Sequence, residues 1–253
     1  MTNKAEKLLY SFLYLFALYL AIRLLPLRKW FGSYTWAFLL VQFILLSVLV
    51  VLAVYESKRS LLKPVRNENH PNFLLLLPLL IGCSSNILYC LCFQIKAEST
   101  FTYLFFLETL NTLAGVVVEE LLFRYFFFAF LGELFQGKKN EKLFVIFFSS
   151  LAFGLMHCIN FFGNNPLSVL MQIGYTFLLG LLLGSLSYLY ETPLIPILGH
   201  FFFNFLNTDV FNHLYSVDMN VSYVLFSIGI GLLVLGYLGL LYYLYRRKCH
   251  ATK

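Results

Sequence analysis

Long apolar blocks alternate with short polar segments along the chain. Most of these blocks have the length of about 20 residues that an α-helix needs to cross a bilayer. Eight blocks cover about residues 8–27, 34–55, 72–94, 101–135, 143–162, 167–190, a stretch that starts after Pro193 and Pro196, and 221–245. The pattern predicts an all-α fold, a polytopic transmembrane helical bundle of about eight helices, with residues 1–253 as a single integral membrane domain.

Three local features predict how individual blocks depart from straight, isolated helices. The block at 101–135 would be roughly 50 Å long as one helix, whereas the hydrocarbon core is about 30 Å thick. We therefore expect it to break or bend, with Gly115 as a candidate position. The polar run at 84–86 predicts a bend in the third block or a bond to a neighbouring helix. Gly180 and Gly184 are expected to let two helices pack closely.

Composition and charge support a membrane protein. The chain is 60% hydrophobic and 12% charged, about half the charge of a typical soluble domain. The net charge of +6 does not indicate a nucleic-acid partner, because the basic residues lie between the apolar blocks. With eight crossings, 13 of these residues fall on the side of the two termini and 3 on the other. This asymmetry predicts a multi-pass protein of the cell membrane with both termini cytoplasmic.

An acidic pair interrupts the fourth block. Glu119 and Glu120 lie in an otherwise apolar segment, with Arg124 close behind them. A charge at the bilayer centre costs about 2.5–3.5 kcal/mol on insertion scales, so such residues are functional candidates. Residues four apart share a helical face, so we expect Glu120 to pair with Arg124 and to leave Glu119 for another task. Glu108 has no assigned role, and Arg23 is expected to snorkel to the membrane surface without chemistry of its own.

Two histidines and an asparagine occupy later apolar blocks. His157 lies in the fifth block, and His200 and Asn204 lie one helical turn apart in the seventh. A carboxylate and a neutral imidazole can hold and deprotonate one water. A second imidazole and a carboxamide can donate hydrogen bonds to the oxyanion that forms when this water attacks a carbonyl. These residue types therefore indicate amide hydrolysis without a covalent intermediate.

A metal centre is the second interpretation of the same side chains. Glu119, His157 and His200 would be the ligands of a Zn²⁺ ion that keeps one position open for water. The chain lacks the HExxH motif that would favour zinc. The preferred interpretation requires no cofactor. The five cysteines form no CxxC pair and are expected to be reduced packing residues.

Three short motifs resemble those of a known family. The segments EELLFR at 119–124, FGLMH at 153–157 and HFFFN at 200–204 are similar to the EExxxR, FxxxH and HxxxN motifs of the CAAX-protease and bacteriocin-processing family, also called the Abi family. The resemblance covers a catalytic core at about residues 100–206. It implies an intramembrane endopeptidase that acts on a peptide or protein substrate in contact with membrane lipids.

The resemblance also implies roles for the matching residues. The residue matching Glu119 activates water with that matching His157, and those matching His200 and Asn204 stabilise the oxyanion. The pair that matches Glu120 and Arg124, the second and the last residue of the first motif, supports the site. The short chain is more similar to the bacterial branch of the family, which is linked to peptide pheromone maturation, bacteriocin processing and self-immunity.

Two other functions use the same residues differently. A non-catalytic peptide-binding or immunity protein of the membrane would tolerate Glu119→Gln, whereas a hydrolase would not. A transporter would use buried carboxylates and imidazoles as an ion path. We favour the protease and rank the transporter last, because the sequence has no visible internal repeat.

Overall fold

The order of helices follows the apolar blocks closely. The computed structural model describes residues 3–31, 35–59, 76–97, 103–162, 165–190, 192–215 and 221–251, and every regular element among them is helical. The α-helices are α1 (Asn3–Leu24), α2 (Leu27–Phe31), α3 (Thr35–Arg59), α4 (Leu77–Cys83), α5 (Ser85–Cys92), α6 (Tyr103–Glu120), α7 (Phe128–Phe135), α8 (Glu141–Met156), α9 (Pro166–Tyr190), α10 (Leu194–Asn204), α11 (Phe211–Leu214) and α12 (Val221–Ala251). Leu121–Phe127 and Phe205–Val210 are π-helical, and His157–Phe162 forms a 3₁₀-helix. The predicted all-α fold is confirmed.

Four helical stretches of the described residues are long and apolar enough to cross a membrane. They are Asn3–Phe31, Thr35–Ser57, Glu141–Phe162 and Pro166–Tyr188. Two shorter apolar stretches follow at Leu194–Asn207 and Val221–Tyr237. The chain is thus a helical membrane protein, while the number of eight crossings stays a prediction.

Two compact units share the chain. The first unit contains Met1–Asn67 and Phe101–Phe201, and the second contains Glu68–Thr100 and Phe202–Lys253. Within the first unit, the hydrophobic core gathers side chains from α1, α3, α6, α7, α8 and the π-helical stretch at 121–127. Every candidate residue up to His200 lies in this unit, and Asn204 lies in the second. The prediction of one integral domain stays a prediction.

Helix α1 has a narrow buried face. Its buried residues follow one another at spacings of three and four, which places them on one side of the helix. They are Ala5, Leu8, Phe12, Leu15 and Tyr19. This face packs into the hydrophobic core of the first unit.

Helices α8 and α9 pack against each other through glycine. A Cβ atom built on Gly180 would lie 3.0 Å from Ser150 Cα, closer than side chains normally approach backbone. A Cβ on Gly184 would lie 3.4 Å from Ile146 Cγ2. The expected close packing is therefore observed, because a side chain at Gly180 would force the two helices apart.

The second unit is held by buried amide groups. The break between α4 and α5 falls at Ser84, inside the polar run that predicted a bend. The Asn207 side chain donates to the Gly82 carbonyl over 2.8 Å and accepts from the Asn86 backbone N–H over 3.0 Å. Ser85 Oγ donates to the same Asn207 oxygen over 3.1 Å. These bonds satisfy backbone groups that the break leaves without helical partners.

The long fourth block departs from the α-helix at a place the sequence did not indicate. Gly115 lies inside the regular helix α6, so the prediction of a break at Gly115 is wrong. The departure occurs instead at the π-helical stretch Leu121–Phe127, directly after Glu120. A glycine keeps both backbone hydrogen bonds and does not by itself end a helix. A Cβ on Gly115 would lie 3.4 Å from Arg23 Nη2, so this glycine leaves room for the guanidinium.

Candidate active site

The two carboxylates lie at the end of α6 in the interior of the first unit. Glu119 and Glu120 are its last two residues and are 4% and 1% exposed. Arg124 follows in the π-helical stretch, and its Nε lies 3.6 Å from Glu120 Oε2. The predicted pairing of Glu120 with Arg124 is therefore observed, and both side chains are buried. A buried pair of this kind neutralises two charges that hydrocarbon would otherwise disfavour strongly.

The π-helical stretch and α8 together hold Arg124. Such stretches interrupt the regular hydrogen-bond ladder and are frequent at functional sites. Ser149 Oγ donates to the Phe123 carbonyl over 2.9 Å and so satisfies one carbonyl of the stretch. Arg124 Nη1 donates to the same Ser149 oxygen over 3.5 Å. The guanidinium also lies over the Phe153 ring, 4.7 Å from the ring centroid.

His200 connects the two carboxylates. Its ring is 2% exposed, and Nδ1–H donates to Glu120 Oε1 over 2.9 Å. Its Nε2 lies 3.7 Å from Glu119 Oε2. The structure thus brings together three predicted residues that are up to 81 positions apart in the chain. Glu120 orients the imidazole, and Glu119 lies beside the opposite ring nitrogen.

Phe153 separates and orients the two histidines. His157 Nδ1–H donates to the Phe153 carbonyl over 3.0 Å, which leaves Nε2 as the acceptor nitrogen of the neutral ring. The Phe153 ring meets His157 edge-on at a centroid distance of 5.5 Å and His200 at 5.4 Å. Both imidazoles are close enough to interact electrostatically with Glu119. The first residue of the FxxxH motif therefore acts as a rigid spacer at the centre of the site.

Two residues of α1 reach Glu119 and were missed on sequence grounds. The Tyr19 hydroxyl donates to Glu119 Oε1. Arg23 Nη2 lies 3.3 Å from the same oxygen, and Arg23 Nε donates to the Tyr19 hydroxyl over 2.9 Å. We expected Arg23 to snorkel to the membrane surface, and its side chain is 42% exposed, but its guanidinium also contacts Glu119. The available signal was the i, i+4 spacing of Tyr19 and Arg23 on the buried face of α1.

Two other polar residues noted in the sequence lie on α10 and α6. Asn204 is the last residue of α10, one turn after His200, and belongs to the second unit. Its role as an oxyanion donor stays a prediction. Glu108 is exposed on α6, eleven residues before Glu119, and takes no part in the contacts described for the site.

A metal centre would need three donor side chains arranged around one point. Among the residues that the structure describes, no three His, Cys, Asp or Glu side chains are placed to hold one ion. The set of Glu119, His157 and His200 that zinc would need is therefore not assembled as a ligand shell. We derive no step through a metal.

The segment that holds the three motifs is similar to a known protein family. Residues 100–206 match the family model described as Rce1-like, Type II CAAX prenyl endopeptidase Rce1-like. Comparison with curated proteins and with solved structures gives no match. The matched range begins before α6 and ends after α10, so it contains all three motifs but not α1. Residues 100–206 therefore form an Rce1-like segment, and the resemblance to the CAAX-protease family is confirmed.

Proposed function

We propose that the chain is an intramembrane endopeptidase in which Glu119 and His157 activate a water molecule that hydrolyses a peptide bond. The observation that carries this proposal is the asymmetric setting of the carboxylate pair. Glu120 is bound by Arg124 and His200. Glu119 Oε2 lies 3.7 Å from His200 Nε2, which is longer than an ordinary hydrogen bond, and we propose that this oxygen takes the water. One carboxylate thus supports the site, and the other has the surroundings of a general base.

The proposed reaction conserves protons and forms no covalent enzyme intermediate. Glu119 takes a proton from water while the water oxygen attacks the carbonyl carbon of the scissile bond. His157 Nε2 accepts a hydrogen bond from the second O–H of the water and fixes its orientation. The oxyanion of the tetrahedral intermediate accepts hydrogen bonds from His200 and Asn204. His200 donates through Nε2, and because Nδ1–H is already bound to Glu120, this role requires a hydrogen on both ring nitrogens. Collapse breaks the C–N bond, and the proton on Glu119 passes to the leaving amine.

The proposed substrate class follows from the matched family, and the proposed location follows from the distribution of basic residues. The matched family is described as a CAAX prenyl endopeptidase, so the substrate is a peptide or a membrane-associated protein. For this chain we propose processing of a bacterial peptide, a pheromone or a bacteriocin, or self-immunity against one. The distribution of basic residues supports a location in the cell membrane with both termini cytoplasmic.

The test compares variants of the purified protein on a mixed peptide library. Wild type, Glu119→Gln and His157→Ala are incubated in detergent with and without a chelator, and products are identified by mass spectrometry. Glu108→Gln is the matched control, because it removes an exposed carboxylate from the same helix. We expect Glu119→Gln and His157→Ala to lose about 10²–10⁴-fold in rate, with Glu108→Gln unchanged and no effect of the chelator.

Each other outcome contradicts part of the proposal. Loss of wild-type cleavage on chelation, restored by zinc, would favour a metalloprotease. Cleavage by Glu119→Gln at the wild-type rate would remove Glu119 as the base. Binding of a peptide without cleavage, equal in wild type and Glu119→Gln, would favour the non-catalytic peptide-binding or immunity protein.

A further inference from the structure

Helix α1 supplies a second set of contacts to the proposed base. It lies outside the matched residues 100–206, so nothing in the family match assigns a role to it. Glu119 Oε1 nevertheless binds two of its side chains, Tyr19 by a hydrogen bond and Arg23 at 3.3 Å. Tyr19 is 2% exposed, so its hydroxyl is directed into the first unit rather than to the surroundings. The site therefore contains a component that its motifs do not reveal.

Aromatic packing fixes α1 against the segment that carries the carboxylates. The Phe12 ring stacks on Phe127 at a centroid distance of 4.8 Å and meets Phe123 edge-on at 5.7 Å. Phe16 meets Phe123 edge-on at 5.9 Å. Each such pair stabilises its own geometry beyond simple area burial. Together they hold α1 in one register, so Tyr19 and Arg23 reach the carboxylate from fixed positions.

The three side chains form a directed chain of hydrogen bonds. Arg23 Nε donates to the Tyr19 oxygen over 2.9 Å, and the Tyr19 hydroxyl donates in turn to Glu119. The positive charge at one end makes the hydroxyl a stronger donor at the other. Both contacts fall on Oε1, whereas Oε2 lies beside His200. The contacts thus distinguish the two oxygens of a single carboxylate.

We propose that Tyr19 and Arg23 are positioning residues of the site: they hold Oε1 of Glu119 so that Oε2 is the oxygen that takes the proton from water. Arg23 also gives the carboxylate a cationic partner, as Arg124 does for Glu120. This inference rests on the proposed function, because a positioned base matters only if Glu119 acts as one. Neither residue needs to touch the substrate.

The kinetic test uses the same cleavage assay with single substitutions in α1. Tyr19→Phe removes one hydroxyl, Arg23→Met removes the charge, and Arg23→Lys keeps it. Tyr14→Phe and Lys4→Met are matched controls, because both residues are exposed on the same helix. Misplacing a catalytic group by about 1 Å lowers the rate about 100-fold. We therefore expect kcat to fall about 10- to 100-fold in Tyr19→Phe and Arg23→Met, with KM within about threefold of wild type. Arg23→Lys recovers part of the loss, and the controls keep the wild-type rate.

A combined substitution separates positioning from general damage. In a Glu119→Gln background, Tyr19→Phe and Arg23→Met should lower the residual rate no further, because they act through the Glu119 carboxylate. A further fall in rate when either α1 substitution is added to Glu119→Gln would overturn the inference. A wild-type kcat in both single α1 variants would overturn it as well. An active Glu119→Gln protein would instead overturn the proposed function. The two failures are thus distinguishable.

Chemical labelling provides a readout that does not depend on cleavage. A hydrophobic carbodiimide modifies buried carboxyl groups in their protonated form, and mass spectrometry locates the modified residue. We expect Arg23→Met to increase the labelling of Glu119 severalfold relative to Lys4→Met. Melting temperature and size-exclusion profile in detergent verify that each variant is folded. Equal labelling in folded Arg23→Met and Lys4→Met would show that Arg23 is not the cationic partner of Glu119, and would overturn that part of the inference.

Discussion

The buried ion pair between Glu120 and Arg124 allows a quantitative prediction of stability. The two side chains are 0% and 1% exposed, and 3.6 Å separates Oε2 from Nε. Arg124→Met removes the cation and leaves the buried Glu120 carboxylate with the hydrogen bond from His200. Removing one partner of a buried pair typically costs about 3–5 kcal/mol, because the remaining charge is uncompensated. The loss of the Arg124 contact with the Phe153 ring adds about 0.5–2 kcal/mol.

Removing both charges should restore most of this loss. Glu120→Gln keeps a carbonyl oxygen that can accept from His200 Nδ1–H, so it preserves the orientation of the imidazole. In the double variant Glu120→Gln/Arg124→Met, no buried charge lacks a partner. A buried pair replaced by uncharged side chains is often close to neutral in stability. We therefore expect a coupling free energy of at least about 2 kcal/mol between the two substitutions.

Unfolding in mixed micelles measures the free energies from which this coupling is calculated. Sodium dodecyl sulfate is titrated into the detergent-solubilised protein, and the loss of helix is followed by circular dichroism for wild type, both single variants and the double variant. Lys4→Met is the matched control, because Lys4 forms an exposed ion pair with Glu133 at 2.6 Å. Exposed pairs contribute about 0–1 kcal/mol. If Arg124→Met is no more destabilising than Lys4→Met, the assignment of Arg124 as the charge partner of Glu120 is refuted.

Two further predictions concern packing outside the site. Gly180→Ala places a Cβ 3.0 Å from Ser150, so we expect the free energy of unfolding to fall by about 1–3 kcal/mol. Gly174→Ala on the same helix has open space and should be neutral or stabilising. Equal melting temperatures for the two variants would contradict the close packing of α8 and α9. Asn207→Ala removes the side chain that bonds to the backbone of α4 and to Asn86, and it should destabilise the protein by about 1–3 kcal/mol, seen as faster hydrogen exchange in residues 77–92. Unchanged exchange there would exclude this network as the support of the helix break.

The polar residues that meet in the candidate site were identifiable in the sequence because hydrocarbon makes polar residues conspicuous. Glu119, Glu120, Arg124 and His200 stand out in apolar segments, and the spacing of four gives the pairing of Glu120 with Arg124 directly. The bend at the polar run 84–86 was predictable for the same reason. In each case the local sequence contains the polar groups that the fold has to satisfy.

The location of the helix distortion and the orientation of each ring were not predictable. The π-helical stretch at 121–127 depends on a partner from another helix, since Ser149 binds the carbonyl of Phe123. Gly115 did not mark the helix distortion, because it provides space for Arg23 rather than a break. The FxxxH spacing gave no reason for its phenylalanine. Its role follows only from the ring contacts of Phe153 with both histidines.

Charge balance indicates how Arg23 could have been recognised from the sequence. The acidic pair Glu119 and Glu120 has one cation near it in the fourth block, Arg124. An unpaired carboxylate in an apolar interior is strongly disfavoured, so a second cation or a proton is required. Apart from Arg124, Arg23 is the basic residue that lies within an apolar block rather than in a polar segment between blocks. Snorkelling explains an isolated arginine near a helix end equally well, so exposure alone does not decide between the two explanations. The carboxylate that lacks a partner decides it, because Arg23 gives Glu119 a cation as Arg124 does for Glu120.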